Sequence, residues 1–321
     1  MPISLDPDLV DVTVAGLLGA CDVDDGPTQE QLTVLRSITA HLWNRDDLDL
    51  SNMATLDPAQ TAELLESAAA RRCFHELLVA LEACRHPMSA AQVGSVEAYL
   101  GALGVEGPER QILRDLVDNG TKIAADDFQR FLRSNLAERA EPSLRGRTVP
   151  ADAAEPELAA KLDQLHELPK GTLGWSYIEF YQRHRFLTPG TEASWMNHFF
   201  VAHDMTHVIA GIEPTGPGEL ALSAFQMAMN DNEVNRSALL ASLIVHEVGI
   251  GNAGKLTSES GTLADGRAAE LFGQELARGA RCSADFSLVD HFELAALPLN
   301  EVRDRFGVTP PVDPADGHHH W

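Results

Sequence analysis

An all-α protein is what this sequence predicts: an N-terminal helical bundle with a two-fold internal repeat, joined to a C-terminal helical domain. Three observations carry the class. Apolar residues recur at helical spacing in "LTVLRSITAHLW", "TAELLESAAARRCFHELLVALEAC", "VGSVEAYLGALG" and "ERQILRDLVDNG". Helix-stopping residues punctuate these runs. The period-two alternation of a half-buried strand is nearly absent.

The bundle repeats itself. "LLGACDVDDGPTQEQLTVLRSI" (17–38) is echoed by "LVALEACRHPMSAAQVGSVEAYL" (78–100). Each copy is an apolar helix ending in Ala-Cys, a polar turn with a Pro, an N-cap (Thr28 or Ser89) and a second apolar helix. The copies lie 63 residues apart at the cysteine and 61 apart at the cap. The turn "DVDDG" is not an EF-hand loop. Counted from Asp22, position 5 is Gly26 and position 12 is Thr33, where oxygen ligands are required. The segment resembles the tellurite-resistance TerB-like helical domains, in which an Ala-rich helix runs into an Asp-Gly turn and an acidic helix, in duplicate. Asp25, Gly26 and Glu30 match in the first copy, and the second has "RHPMS" instead.

A length of 321 residues suits two domains at roughly 100–200 residues each. "AERAEPSLRGRTVPADAAEPELAA" (137–160) is rich in Pro, Ala and charge and is the natural linker. The expected organisation is a domain at 1–140, a linker at 141–157 and a second domain at 158–321.

The formal net charge is −24. Residues 1–140 carry 23 acids and 11 bases, and 141–321 carry 25 and 13, so the acidity is an even surface property rather than a tail. No basic stripe is available for phosphates, which excludes nucleic acid as a partner. A purely electrostatic grip on anionic lipid is equally disfavoured. The start, "MPISLDPDLV", lacks the basic and apolar regions of a secretory signal. "ALLASLIV" (238–245) is far shorter than the ~20 residues of a membrane span. Cys21, Cys73, Cys84 and Cys282 form no CxxC pair and read as buried thiols of a reduced compartment. The expected location is cytoplasmic, with peripheral contact at a membrane allowed. The final "HHHW" reads as a tag remnant or a loose tail, and no function is assigned to it.

The chemistry concentrates in "VAHDMTHVIAGIEPTGPGE" (201–219). His203 and His207 stand at i and i+4, so on a helix both imidazoles leave one face. Asp204 lies about 100° round, at the flank of that face. Gly211 is a natural C-cap, and Pro214 and Pro217 forbid continuation. The turn can fold Glu219 back to the histidines. Two nitrogens and two carboxylates suit one divalent transition metal, Zn, Fe, Mn or Co. Apolar neighbours Phe199, Phe200, Val208 and Ile209, with Leu220, Leu222 and Phe225 on the next helix, predict a pocket with one polar end and apolar walls. With no basic patch in sight, the metal itself is expected to hold a bound headgroup. His246 and Glu247, as sequence neighbours, do not share a helix face and read as core residues rather than another site. His184, His198 and His291 have no partner at ligand spacing.

The pattern H-D-x-x-H, eleven residues, E resembles the ubiquinone-biosynthesis Coq-four family (coenzyme Q biosynthesis protein four). "LPKGTLGWSYIEFY", "HDMTHVIAG", "GELAL", "GRAAEL" and "LPLNEVRDRFGV" resemble its successive helices, from about 160 to 309. The resemblance implies metal at His203, Asp204, His207 and Glu219. It further implies a polyprenylated aromatic substrate and oxidative decarboxylation of a polyprenylated hydroxybenzoate ring, together with organisation of other quinone-biosynthesis enzymes. Two other readings are a lipid-binding scaffold with a structural metal, and an HD-type metal phosphohydrolase that uses Asp231 and His184 and has no need of Glu219.

Overall fold

The structure, a computed structural model, describes residues 3, 5–107, 109–147, 153–251 and 258–321. Among these, regular structure is helical, with three isolated β-bridges and no strand. In chain order the helices are α1 (Val10–Cys21), α2 (Gln29–Leu42), α3 (Pro58–Leu64), α4 (Ala68–Ala83), α5 (Ala90–Leu103), α6 (Glu109–Asp118), α7 (Thr121–Glu138), α8 (Pro156–Asp163), α9 (Leu173–His184), α10 (Asn197–Ala210), α11 (Gly216–Met229), α12 (Glu233–His246), α13 (Gly266–Ala280), α14 (His291–Leu294) and α15 (Leu299–Phe306). They form two compact units: 1–132 with 215–280, and 133–214 with 281–321.

In the first unit the two helical hairpins read from the sequence are α1–α2 and α4–α5. Thr28 and Ser89 cap α2 and α5, accepting the N–H groups of Gln31 and Gln92. The repeat extends into the buried polar contacts. Gln31 Nε2 donates to Leu81 O at 2.9 Å, and Gln92 Nε2 donates to Ala20 O at 3.0 Å. Both donor and acceptor shift by the same 61 residues that separate the caps. Gln31 Nε2 also donates to Gln92 Oε1 at 3.1 Å, so the equivalent side chains meet each other. Arg85, from the deviant "RHPMS" turn, donates to Gln92 Oε1 and to the carbonyls of Cys21 and Gly26, satisfying the end of α1.

The run 61–84, one helical pattern in the sequence, is two helices. Ser67 starts α4 by accepting the Ala70 N–H. Arg71 holds the break, donating to Leu65 O, Ala62 O and Leu103 O.

α11 packs between α12 and α13, and α13 lies along α2. These crossings are backbone-close. A Cβ on Gly279 would stand 2.1 Å from Phe225 O, and one on Gly273 would stand 2.2 Å from Ser37 Oγ. Arg278 is buried there, paired with Glu275 at 2.6 Å and with its guanidinium over the Phe225 ring. The linear division at 141–157 is therefore not how the folded chain divides: α2 finds its partner in α13, far beyond that point.

The second unit begins inside α7 and holds α8–α10, α14 and α15. The expected linker is anchored in it where described; residues 148–152 lie outside the described set. Glu141 is wholly buried. Its backbone N–H donates to His198 O, and its two carboxylate oxygens meet the His291 N–H at 3.0 Å and His291 Nδ1 at 2.8 Å. His291 Nε2 faces Phe286 O at 3.0 Å, so both ring nitrogens meet oxygen acceptors. Glu141→Ala leaves Nδ1 of this ring buried opposite nothing. We expect a loss of about 3–5 kcal/mol in denaturant unfolding, the usual cost of removing one partner of a buried pair.

Candidate metal centre

α10 carries three of the four predicted ligands. It ends at Gly211, whose φ of +71° only a residue without Cβ adopts readily. The last carbonyls of α10 are satisfied by Arg303 of α15, which donates to Val208 O and Ile209 O at 3.1 and 3.0 Å. This end is held by the C-terminal segment as well. His319 forms an antiparallel bridge with Ile212, Glu213 N–H donates to His318 O, and the Arg303 guanidinium stacks on Trp321 at 3.7 Å. "HHHW" is thus packed rather than loose, because its backbone pairs with the chain leaving α10.

The structure brings His203, Asp204 and His207 together, with one ligand-type atom of each within 4.8 Å of the others. Asp204 and His207 are buried, and His203 is half-buried. His207 Nδ1 meets Ile212 O at 2.9 Å. A carbonyl only accepts, so the proton sits on Nδ1 and the lone pair of Nε2 is left for the site. That Nε2 stands 3.2 Å from His203 Nε2. Two nitrogens bound at about 2.0–2.1 Å to one tetrahedral ion stand about 3.3 Å apart, so the pair fits a shared metal. Phe180 stacks on the His207 ring and Phe199 on the His203 ring, fixing both planes. The Tyr181 hydroxyl donates to Asp204 Oδ2. Burial, and then the Asp204 charge, hold that phenol well above its usual range, so it stays a donor. Tyr181 was not singled out from the sequence, because the contact joins α9 to α10 and leaves no local spacing.

Glu219, the fourth predicted ligand, lies in the first turn of α11, after the N-cap Thr215. It belongs to the first unit, whereas the three residues above belong to the second. Leu222 and Phe225 are fully buried in the core of the first unit, as is Leu220.

Beside His207 opens a cleft of about 480 Å³, with Trp175, Phe180, Val208 and Trp321 among its apolar walls. Of the predicted pocket residues Val208 lines it, whereas Phe199, Phe200 and Ile209 do not. Basic groups line it too: Lys170, Arg183 and Arg303. Arg183 is committed to Glu179 and Glu213, and Arg303 to the end of α10. Lys170 lies 5.4 Å from the Trp175 ring. The expectation that no basic side chain could meet a headgroup is corrected here. Lys170 comes from "LPKGTLGWSYIEFY", which enters the sequence reading only through the family resemblance.

Three other histidines of this unit are paired with distant glutamates: His184 with Glu213, His198 with Glu155 at 2.6 Å, and His291 with Glu141. Asp231 of the first unit is engaged by Arg72 and Arg236 at 2.9 and 2.7 Å. Burial alone would raise its pKa, but these two cations bring it below the usual carboxylate range. His184 and Asp231, the two further residues that the phosphohydrolase reading uses, are thus engaged by Glu213 and by two arginines.

Fold and site together define an all-helical protein with an H-D-x-x-H ligand group beside a mixed apolar and basic cleft. Residues 155–246 match the family model described as coenzyme Q (ubiquinone) biosynthesis protein Coq4. This stretch spans α8–α12 and includes His203, Asp204, His207 and Glu219; the match stops short of "GRAAEL" and "LPLNEVRDRFGV". Among solved structures, one from Nostoc punctiforme PCC 73102, provisionally described as a ubiquinone biosynthesis protein, is similar at 18% identity. It covers 74% of this chain and 98% of its own, with a TM-score of 0.35. No curated protein matches the chain significantly.

Proposed function

We propose that this protein acts in ubiquinone biosynthesis, with one divalent transition metal held by His203, Asp204 and His207. The family match over 155–246 supports the pathway. The observation that carries the metal is the 3.2 Å approach of two imidazole Nε2 atoms, one with its tautomer set by Ile212 O. Zn, Fe, Mn and Co all suit the donor set. Bound there, the ion supplies a Lewis acid for substrate oxygens.

The chain's own residues do the rest. Trp175, Phe180 and Val208 exclude water and accept an aromatic ring, while Lys170 meets its carboxylate. The cleft lies within the common size range of small-molecule sites and takes the ring and the near end of a prenyl tail. The finer reaction that we propose exchanges the ring carboxyl for a hydroxyl with loss of CO2. This is a two-electron oxidation of the ring, so an oxidant of the dioxygen class has to enter as co-reactant. Other quinone-pathway enzymes are the proposed protein partners. No helix among the described residues is long and apolar enough to cross a membrane.

Titrating a prenylated hydroxybenzoate into metal-loaded and chelated protein tests this reading. Affinity is expected to fall on chelation without vanishing, since each buried methylene still contributes about 0.8 kcal/mol. Absence of binding to either form refutes the substrate, and indifference to the metal favours the scaffold reading.

A further inference from the structure

A different group of ligand-type residues lies within the first unit. Glu30 stands in the first turn of α2, His86 in the turn between α4 and α5, and Glu247 directly after α12. One ligand-type atom of each lies within 4.8 Å of the others. His86 Nε2 is 2.6 Å from Glu247 Oε1 and 3.9 Å from Glu30 Oε1. Glu247 is wholly buried, and its other oxygen accepts the Leu263 N–H at 2.7 Å, which fixes the carboxylate. Glu30 Oε1 is sealed from solvent with no hydrogen-bond donor.

Charge is unbalanced in this group. Among the described residues His86 is the cation paired with either carboxylate. A protonated imidazole offsets one of the two negative charges and leaves the other buried, which is costly. A divalent ion offsets both carboxylates and uses the lone pair of a neutral imidazole. It also occupies the side of Glu30 Oε1 that no protein donor reaches.

We infer that Glu30, His86 and Glu247 form a second metal site, built for a first-row divalent ion that accepts mixed oxygen and nitrogen ligands. Two carboxylates and one imidazole suit Mn2+, Fe2+ or Zn2+. The ion ties together three segments distant in sequence, the start of α2, the α4–α5 turn and the end of α12. Its role is to brace the first unit, and its binding stabilises the folded state by mass action.

The test uses the full chain with His203→Ala and His207→Ala both present, so its outcome does not depend on the centre proposed above. Mn2+ is titrated and followed by loss of the free-ion electron paramagnetic resonance signal; Zn2+ is titrated separately by calorimetry. One equivalent of at least one ion is expected, with a rise in Tm. Adding Glu30→Gln, a near-isosteric change, is expected to weaken binding by at least about 100-fold, the upper end of what outer ligand-shell changes cost, and to abolish the rise in Tm. His86→Ala is expected to do the same. Circular dichroism confirms that each variant is folded without metal. Saturable binding of neither ion, or binding undiminished by Glu30→Gln and His86→Ala, overturns the site.

Discussion

Replacing His207 with Ala is expected to remove one equivalent of transition metal from the protein. The substitution deletes one of two nitrogens that face each other across 3.2 Å. It also removes the bond to Ile212 O that orients the ring, and it opens the site to the cleft that His207 lines. A complete structural zinc site amounts to about 10–16 kcal/mol of apparent free energy, so each protein ligand carries a large share of the affinity. Losing one ligand to water leaves an incomplete, exposed site that exchanges its ion during dialysis. His184→Ala provides the contrast. His184 is paired with Glu213, so its loss is expected to leave the metal in place. Elemental analysis after exhaustive dialysis reads both variants. Unchanged metal in the His207→Ala protein refutes the centre, and loss of metal in both variants points to the phosphohydrolase ligand set.

A fragment ending at residue 140 is expected to remain unfolded. Its α2 packs along α13, and the core it belongs to is completed by α11. Those two helices bring Leu220, Leu222, Phe225, Met227, Leu271, Phe272 and Leu276, each at most 3% exposed. At about 1.5–3 kcal/mol for each such side chain, their absence matches or exceeds the whole net stability of a domain, about 5–15 kcal/mol. The fragment should therefore show no cooperative thermal transition by circular dichroism and little dispersion in an amide NMR spectrum. Co-expression with 215–280 should restore both. A cooperative melt of 1–140 alone would show that its own hairpins suffice.

The contrast between these two expectations follows what the sequence made legible. Helical periodicity and capping residues work over a few positions, so the hairpins, Thr28, Ser89 and Gly211 could all be read from the sequence. The i, i+4 histidines and the adjacent Asp204 were equally local. Contacts between distant helices leave no such signal. The backbone-close fit of Gly273 on Ser37 is one example, and the pairing of His291 with Glu141 is another. The Pro-rich and Ala-rich composition of 137–160 looked like a boundary, yet Glu141 within it is among the most buried acids of the chain. The cleft was missed for a related reason. Its walls come from α9, α10, α15 and the final residues, each unremarkable alone. Glu247 was set aside because His246 points elsewhere on the helix, whereas its partners come from the opposite end of the sequence.

The interrupted first unit also constrains the order in which the nascent chain matures. Its N-terminal segment ends at 132, but the helices that finish its core are not complete until 280. At about 5–20 residues per second, the ribosome takes roughly 7–30 s to cover that interval. Throughout it, the apolar faces of α1–α5 have emerged and await their partners. Meanwhile the segment 133–214, with its metal-ligand helix, is synthesised in between. Neither unit has its full sequence until late in synthesis, because the other also waits for residues 281–321. How long these apolar faces stay uncovered during translation is thus set by chain connectivity rather than by the final stability of either unit.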